Sequence, residues 1–210
     1  TYVNVHVEST RLLARTLLGS ATLKRFVHVS TVGVHGHIDH PPADENYRFS
    51  PGDIYQRTKS EAEIWIREFS AHHNFPIVVV RPALFGAGQG LYHLIHVDDL
   101  TDIFITAALH PKAAGQVFIA GNAEPSRLRE IVATIASEIG NSGIRFARLP
   151  AWPLFLAADL CEAICKPLGI EPPLYRRRVA FFTKDRAFNT TKLREVLEYH
   201  YSIDVSDGLR

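Results

Sequence analysis

Short apolar runs alternate with amphipathic stretches along most of the chain. The run at 77–80 is continuous and β-branched, which is typical of a central strand in a parallel sheet. In the stretch before it, apolar side chains recur at helical spacing at Ala62, Ile64, Trp65 and Phe69, so this helix is expected to bury one face against the sheet. Strands that alternate with helices of this length predict an α/β fold, with a parallel sheet covered by helices.

Turn and capping residues divide this pattern into elements. Helices are predicted at 7–18, 55–73, 99–109 and 126–140, and strands at 24–30, 76–80, 94–97, 116–120 and 144–149. Asp98 or Asp99 is expected to cap the third helix, and Ser126 the fourth. Because the pattern turns mostly helical beyond Pro150, residues 126–210 are expected to form a small carboxy-terminal lobe, interleaved with a sheet-containing part at 1–125.

Composition limits the classes of protein that the chain can represent. The 210 residues are 46% hydrophobic and 21% charged, with a net charge of +1, so a globular domain is expected and a dedicated nucleic-acid surface is not. No apolar run reaches the roughly 18 residues that span a membrane, and no signal peptide opens the chain. Cys161 and Cys165 are expected to be buried apolar positions in a reducing compartment. A cytoplasmic protein without membrane insertion is therefore predicted.

Three side chains combine into a candidate proton-transfer set. Tyr55 and Lys59 are four residues apart on a predicted helix, so the phenol and the ammonium share one face. A free tyrosine, with a pKa of about 10, is a poor base at neutral pH. A cation roughly 4 Å away, at an effective dielectric of about 20, favours a phenolate by ~4 kcal/mol. Proton exchange with an alcohol then becomes efficient, and the hydroxyl of Thr31 can hold the substrate oxygen.

Ordered motifs around this set resemble a known enzyme family. They are the apolar run and glycine-bearing loop at 27–36, the helix with Tyr55 and Lys59, the Arg-Pro segment at 78–86 and the His-Val-Asp-Asp segment at 96–99. In that order they are similar to the extended short-chain dehydrogenases/reductases, which include NAD-dependent epimerases and dehydratases and 3β-hydroxysteroid-dehydrogenase-like enzymes. The resemblance implies a Rossmann-like, doubly wound parallel sheet, NAD or NADP as cofactor, a small-molecule substrate, and a homodimer as a common assembly.

The resemblance also implies a role for each residue of the set. Tyr55 would exchange the proton of the alcohol, Lys59 would favour the phenolate and bond the nicotinamide ribose, and Thr31 would orient the substrate oxygen. Substrate contacts are further implied for His35 and Leu84. Further cofactor contacts are implied for three residues at strand ends, namely Val29, Pro82 and Ala83.

The chain departs from the family pattern at two places. The family has an Asn-Val-x-Gly-Thr signature where this sequence has His6 in place of the asparagine and Ser9 in place of the glycine. The support that the asparagine gives to the active site is therefore not expected of His6. The glycines at 86–90 lead into a predicted strand rather than a helix, so they are not expected to cradle a phosphate.

Two omissions, of any methionine and of a glycine-rich turn between a strand and a helix near the start, favour a piece of a longer protein. The expected phosphate cradle and the first strands of the sheet would lie upstream of Thr1, and the chain contains no methionine. Gly90 runs almost directly into the predicted strand at 94–97, where the family has a segment that covers the substrate. A substrate loop lost after Gly90 is therefore expected.

Other polar residues have simpler explanations than catalysis. Asp98 and Asp99 are expected to cap a helix, and the three arginines at 176–178 to form a solvated face. No metal site is expected, because the histidines near the predicted site share no helix face and lack a defined set of cysteine or carboxylate partners. Those histidines are His28, His35, His37 and His40.

The primary functional prediction is an NAD(P)-dependent epimerase, dehydratase or dehydrogenase that acts on a secondary alcohol or its ketone. A nucleotide sugar is the substrate type that the resemblance implies. The tail at 188–197 and the apolar stretch at 152–164 also suit a 3β-hydroxysteroid-dehydrogenase-like enzyme for a sterol or other apolar alcohol. A non-catalytic, dinucleotide-sensing binding protein is a further alternative, favoured by His6 and opposed by the intact Tyr55, Lys59 and Thr31.

Overall fold

The sheet-containing half follows the hydrophobic pattern closely. The computed structural model describes residues 1–83, 91–140, 150–176, 179 and 187–209. The strands are β1 (Phe26–Val29), β2 (Ile77–Pro82), β3 (Leu91–Tyr92), β4 (Val117–Ala120) and β5 (Ser126–Arg127). The helices are α1 (Ser9–Leu17), α2 (Ile54–His73), α3 (Val97–Leu109), α4 (Leu128–Glu138), α5 (Trp152–Cys165), α6 (Thr191–Leu197) and α7 (Val205–Gly208). A π-helical turn, Asn4–Glu8, leads into α1, and shorter helical turns occupy Val32–His35, Pro111–Ala113 and Lys166–Leu168.

Strand β2 organises the sheet because both of its faces are covered. It pairs in parallel with β1 on one side and with β4 on the other. Val78 and Val80 pack with Ile103 of α3, whereas Val79 packs with Ile66 of α2. Successive side chains of a strand point to opposite faces, so the two helices lie on opposite sides of the sheet. The predicted doubly wound α/β fold is confirmed.

Helix α2 has well-defined ends, which fix the position of its first turn. The carboxylate of Asp53 accepts a hydrogen bond from the backbone N–H of Gln56 at 2.8 Å, as an N-cap residue does. At the other end, Asn74 takes a left-handed conformation with φ of 50°, which asparagine tolerates better than most residues. The predicted helix at 55–73 is therefore confirmed to within one residue.

Two predicted elements around residue 95 and residue 126 were wrong. Residues 94–96 form no strand and Val97 begins α3, whereas the short strand β3 lies earlier, at Leu91–Tyr92, and pairs antiparallel with β5. Ser126 lies in β5 rather than capping α4. Strands of two residues are too short to show alternation, so the sequence pattern gave no sign of them.

Asp99 joins distant parts of the chain instead of capping α3. The side chain of His96 takes the cap position and accepts from the N–H of Asp98 at 3.3 Å. Asp99 is buried, and its carboxylate accepts from the Tyr199 hydroxyl at 2.9 Å. It also accepts from the N–H of Ser202 at 2.9 Å. The carboxylate therefore holds the carboxy-terminal segment against the start of α3.

The carboxy-terminal helices agree with the pattern in part. Helix α5 occupies the predicted stretch, and Cys161 and Cys165 on it are partly exposed rather than buried, with their sulfurs 3.9 Å apart. In the described residues, no helix combines the length and the apolar character needed to cross a membrane. The predicted strand at 144–149, Leu84 and the glycines at 86–90 lie outside the described residues.

Acid sensitivity is expected from His28 of β1. Burial lowers the pKa of its imidazole from 6.5 to about 4, and its Nε2 atom finds no hydrogen-bond partner within the described part of the chain. At a pH between these two pKa values, His28 binds a proton in the unfolded chain but not in the folded chain. The free energy of unfolding therefore falls by up to about 3 kcal/mol as the pH drops. We expect His28→Phe to reduce this slope, measured by urea unfolding between about pH 7 and about pH 4.

An exposed histidine provides the control for this measurement. His40 lies in the loop before α2 and is exposed, so His40→Phe should keep the slope of the unmodified protein. Equal slopes for the His28 variant and the unmodified protein would contradict the assignment.

Candidate active site

The carboxyl ends of the parallel strands meet at one edge of the sheet. Val29 and Pro82 are the last residues of β1 and β2, and β4 ends beside them at Ala120. Ala83 continues the pairing, since its N–H donates to the carbonyl of Ala120 at 2.7 Å. Ligands of open α/β sheets bind outside this edge. The cofactor-side residues predicted from the sequence, Val29, Pro82 and Ala83, therefore lie together where a ligand can be bound.

Lys59 links helix α2 to this edge. Its Nζ donates to the carbonyl of Val29 at 2.9 Å, two residues before Thr31. Burial lowers the pKa of the Lys59 ammonium, because an ion is less stable where water is partly excluded. Tyr55 lies one turn earlier on the same face of α2. The helix thus carries the ammonium to the end of β1, with Tyr55 one turn before it.

Thr31 begins the helical turn that follows β1. The Thr31 hydroxyl accepts from the N–H of Gly33 at 3.1 Å, and the side chain is buried. The turn ends at Gly36, whose φ is 61° and where a Cβ atom would come within 1.8 Å of the carbonyl oxygen of Ser50. Only glycine fits there without moving the backbone. Thr31 is therefore held in a tightly packed turn beside the Lys59 contact.

Tyr55 is surrounded by aromatic rings from the start of the chain. The ring of His6 lies 5.4 Å from it at an interplanar angle of 82°, and the ring of Tyr2 lies 6.2 Å away at 76°. Both are edge-on arrangements, which aromatic pairs favour over face-to-face stacking. The Nδ1 atom of His6 is also 2.8 Å from the hydroxyl of Thr58. The segment before α1 therefore closes one side of the site.

A buried ion pair lies beneath these residues. Arg81 of β2 donates from Nε to Glu63 at 3.0 Å and from Nη2 at 2.5 Å, and both side chains are fully buried. The hydroxyl of Ser30 donates to the same carboxylate at 2.7 Å. Glu63 follows Lys59 by one helical turn. The pair therefore fastens the face of α2 that carries Lys59 and Glu63 to β2 and to the residue before Thr31.

The state of the Glu63 carboxylate follows from these partners. Burial alone would raise its pKa, but the hydrogen bonds and charge of Arg81, with the Ser30 hydroxyl, lower it below 4.5 overall. The ionised carboxylate contributes stability above that ordinary value, and the contribution is lost as the pH falls through the lowered pKa. Glu63 is thus charged and fully paired throughout the neutral range.

His35 belongs to this buried network and not to the accessible edge. Its Nε2 is 3.1 Å from Nη1 of Arg81, and its Nδ1 is 3.3 Å from the carbonyl of Arg48. A guanidinium can only donate, so Nε2 accepts and Nδ1 carries the proton. Burial, and then the charge of Arg81, lower the pKa of this imidazole. With no exposed surface and both nitrogens engaged, His35 is placed for a structural role instead of the expected substrate contact.

Sequence reasoning gave no role to several residues of this network. The carboxylate of Glu45 accepts a hydrogen bond from the backbone N–H of Ile119 at 3.0 Å. The backbone carbonyl of Glu45 accepts another from Arg81 at 2.8 Å. Two features of the sequence could have indicated this network. Arg81 follows directly on the apolar run at 77–80, and Glu63 lies four residues after Lys59. Among the described residues, no group of three histidine, cysteine or carboxylate side chains is placed to hold a metal ion.

A cavity of about 420 Å³ opens beyond the same edge of the sheet. Ala83 and Asn122, which lie just beyond the ends of β2 and β4, are among the residues that line it. Its described lining contains no lysine or arginine. Most of the wall is apolar and comes from the start of α3 and the carboxy-terminal segment, including Leu94, Ile95, Val97, Leu100, Ile203 and Val205.

Comparisons with known proteins agree with this description. Residues 1–85 match the model of the NAD dependent epimerase/dehydratase family. The chain is 24% identical over 230 residues to 3beta-hydroxysteroid-dehydrogenase/decarboxylase isoform 2 of Arabidopsis thaliana, covering 90% of this chain and 40% of that protein. It is 26% identical to UDP-glucose 4-epimerase of Vibrio cholerae, covering 81% and 61%. The chain thus spans only part of the relatives it matches.

Solved structures show the same fold. The crystal structure of gox2253 superposes with a TM-score of 0.80 at 22% identity, covering 99% of this chain and 70% of that one. The dTDP-glucose 4,6-dehydratase of Bacillus anthracis, in complex with NAD, gives a TM-score of 0.71 at 17% identity and covers 99% and 66%. The resemblance to the extended short-chain dehydrogenases/reductases and the Rossmann-like fold are confirmed.

Removal of one partner from the buried ion pair should destabilise the protein strongly. Glu63→Gln leaves the Arg81 guanidinium buried without a counter-charge, which costs about 3–5 kcal/mol. Urea unfolding followed by circular dichroism measures this loss. Glu61→Gln is a matched control on the same helix, because the pair of Glu61 with Arg11 is exposed at 3.4 Å and exposed pairs contribute about 0–1 kcal/mol. Similar losses for both variants would contradict the role given to Glu63.

Proposed function

We propose that the protein is an NAD(P)-dependent oxidoreductase of the epimerase/dehydratase type that acts on a secondary alcohol or its ketone. The observation that carries the proposal is the hydrogen bond from Lys59 to the carbonyl of Val29. This bond holds the ammonium at the end of β1, next to Thr31 and one turn after Tyr55. The match of residues 1–85 to the NAD dependent epimerase/dehydratase family supports it.

The residues present fit a nicotinamide cofactor. Lys59 uses one of its three N–H donors on Val29, and in the described part of the chain two remain for ribose hydroxyls. The Val29 side chain is 42% exposed at the end of β1, and Pro82 and Ala83 end β2 beside it. When bound there, the cofactor would accept or supply the hydride.

The chain's own residues would handle the proton. The phenol oxygen of Tyr55 would remove the hydroxyl proton of an alcohol or return it to a ketone, with the ammonium of Lys59 one turn away on the same face of α2. The hydroxyl of Thr31 would hold the substrate oxygen.

The cavity beside Ala83 favours an apolar substrate over a nucleotide sugar. A nucleotide diphosphate is usually bound by arginine or lysine, and the described lining contains neither. Apolar walls instead favour burial of a hydrocarbon surface. Relatives include the Arabidopsis 3beta-hydroxysteroid-dehydrogenase/decarboxylase and a sterol-4-alpha-carboxylate 3-dehydrogenase of Schizosaccharomyces pombe, 30% identical over 118 residues, covering 56% of this chain and 33% of that protein. We therefore place a sterol-like alcohol first and a nucleotide sugar second.

Replacement of the phenol should separate an enzyme from a dinucleotide-sensing protein. Tyr55→Phe keeps the aromatic contacts but removes the group that exchanges the proton. We expect turnover in the full-length protein to fall by at least about 100-fold, with cofactor affinity, measured by calorimetry, unchanged within about twofold. Tyr2→Phe is the control, since it removes a nearby phenol from the same cluster. Unchanged turnover in Tyr55→Phe would refute the proton-transfer role.

Ligand binding should distinguish the two substrate classes. With cofactor present, a 3β-hydroxysteroid is expected to raise the melting temperature of the full-length protein, and uridine diphosphate is not. Val97→Asp places a charge in the cavity and is expected to weaken steroid binding about tenfold. Ile105→Asp adds the same charge to an exposed position of the same helix and should have no effect. Stabilisation by uridine diphosphate alone would reverse the order of the two classes.

A further inference from the structure

His6 makes more contacts with the proposed catalytic helix than its partial exposure suggests. It lies in the turn Asn4–Glu8, and its ring packs edge-on against Tyr55 at 5.4 Å. Its Nδ1 atom lies 2.8 Å from the hydroxyl oxygen of Thr58, in the first turns of α2. Both contacts reach the two turns that carry Tyr55 and Lys59.

The hydrogen bonds of Thr58 fix the direction of the bond from His6. The Thr58 hydroxyl is 2.9 Å from the carbonyl of Ile54 and 3.0 Å from that of Tyr55, and its single proton must be donated to these. Its oxygen is then left to accept a hydrogen bond from the Nδ1–H group of His6. The imidazole is therefore the tautomer with a proton on Nδ1, and Nε2 keeps its lone pair.

The surroundings keep this imidazole neutral. Burial, and then the charge of Lys59, lower the pKa of His6. Tyr55, Thr58 and Lys59 face it from α2, and on its own segment it meets the ring of Tyr2 at 5.5 Å. A protonated His6 would place a second cation near Lys59, which is unfavourable.

We propose that His6 is a positioning residue that acts through Thr58 and Tyr55 to hold the phenol in the orientation needed for proton transfer. The hydrogen bond to Thr58 anchors the turn whose carbonyls Thr58 contacts, and the edge-on ring restricts rotation of the Tyr55 side chain. This inference rests on the proposed function, because it assigns His6 to the same reaction. Small displacements of a reacting group reduce rates strongly, so a group that only orients Tyr55 has a measurable effect.

Two substitutions separate the hydrogen bond from the ring. His6→Phe keeps an aromatic ring against Tyr55 but removes the donor to Thr58. His6→Asn keeps an N–H donor that can reach Thr58 but removes the ring and the titrating group. In the full-length protein we expect His6→Phe to lower kcat by about tenfold while the KM for the cofactor changes less than about twofold, and we expect His6→Asn to restore at least half of the loss.

A double-mutant cycle tests whether the effect passes through Thr58. Thr58→Val removes the hydroxyl at nearly constant shape. If His6 acts through that hydroxyl, the double variant His6→Phe/Thr58→Val should be no slower than the slower single variant. Multiplication of the two individual losses would overturn the proposed route. Thr16→Ala, an exposed threonine of α1, is the control and should leave kcat unchanged.

The pH dependence of kcat separates positioning from simple packing. The ratio of kcat for the unmodified protein to kcat for His6→Asn should change as the pH falls below 6.5, because only the unmodified protein gains a cation beside Lys59. A constant ratio, or equal losses of kcat, cofactor affinity and melting temperature in His6→Phe, would reduce His6 to packing. If Tyr55→Phe turns over normally, the proposed function itself fails. If Tyr55→Phe is inactive and His6→Phe is normal, only this inference fails.

Discussion

The ion pair between Arg81 and Glu63 is the interaction on which the arrangement of the site depends. Both side chains are fully buried, and removal of two charges from water costs several kcal/mol for each ion. The cost is offset because both oxygens of the carboxylate and most donors of the guanidinium have partners. Those partners come from the residue after β1, from α2, from β2 and from the loop before α2. The pair therefore sets how the helix with Lys59 lies against the strand end with Thr31.

The local pattern of apolar residues was sufficient to predict the longer helices and strands, because they must bury apolar side chains. Helix α2 was predicted to within one residue and strand β2 to within two, because the helix has a long apolar repeat and the strand a continuous β-branched run. The short strands β3 and β5 were not, since two residues carry no period. The buried contacts of Asp99 and His35 were not predicted either. Their partners lie up to about a hundred residues away in the chain, where no local rule applies.

The site itself was predicted as a set of residue types rather than as an arrangement. Tyr55, Lys59 and Thr31 were proposed because proton exchange with an alcohol can use a phenol, a cation and a hydroxyl, and the first two stand at helical spacing. The hydrogen bonds that hold the site could not be predicted. Ser30, Glu63 and Arg81 come into contact only when the strands and the helix pack together. His6 is similar: its replacement of an asparagine was visible, but its contacts with Thr58 and Tyr55 were not.

The contact between Lys59 and Val29 uses a backbone carbonyl and not a side chain. Every amino acid has that carbonyl, so the identity of the residue at position 29 does not determine whether the lysine is held. Natural variation at this position can therefore reshape the surface offered to a cofactor while the ammonium stays in place. The acceptor for Lys59 is a backbone oxygen. The position of the charge is therefore independent of the side chain that would contact a cofactor.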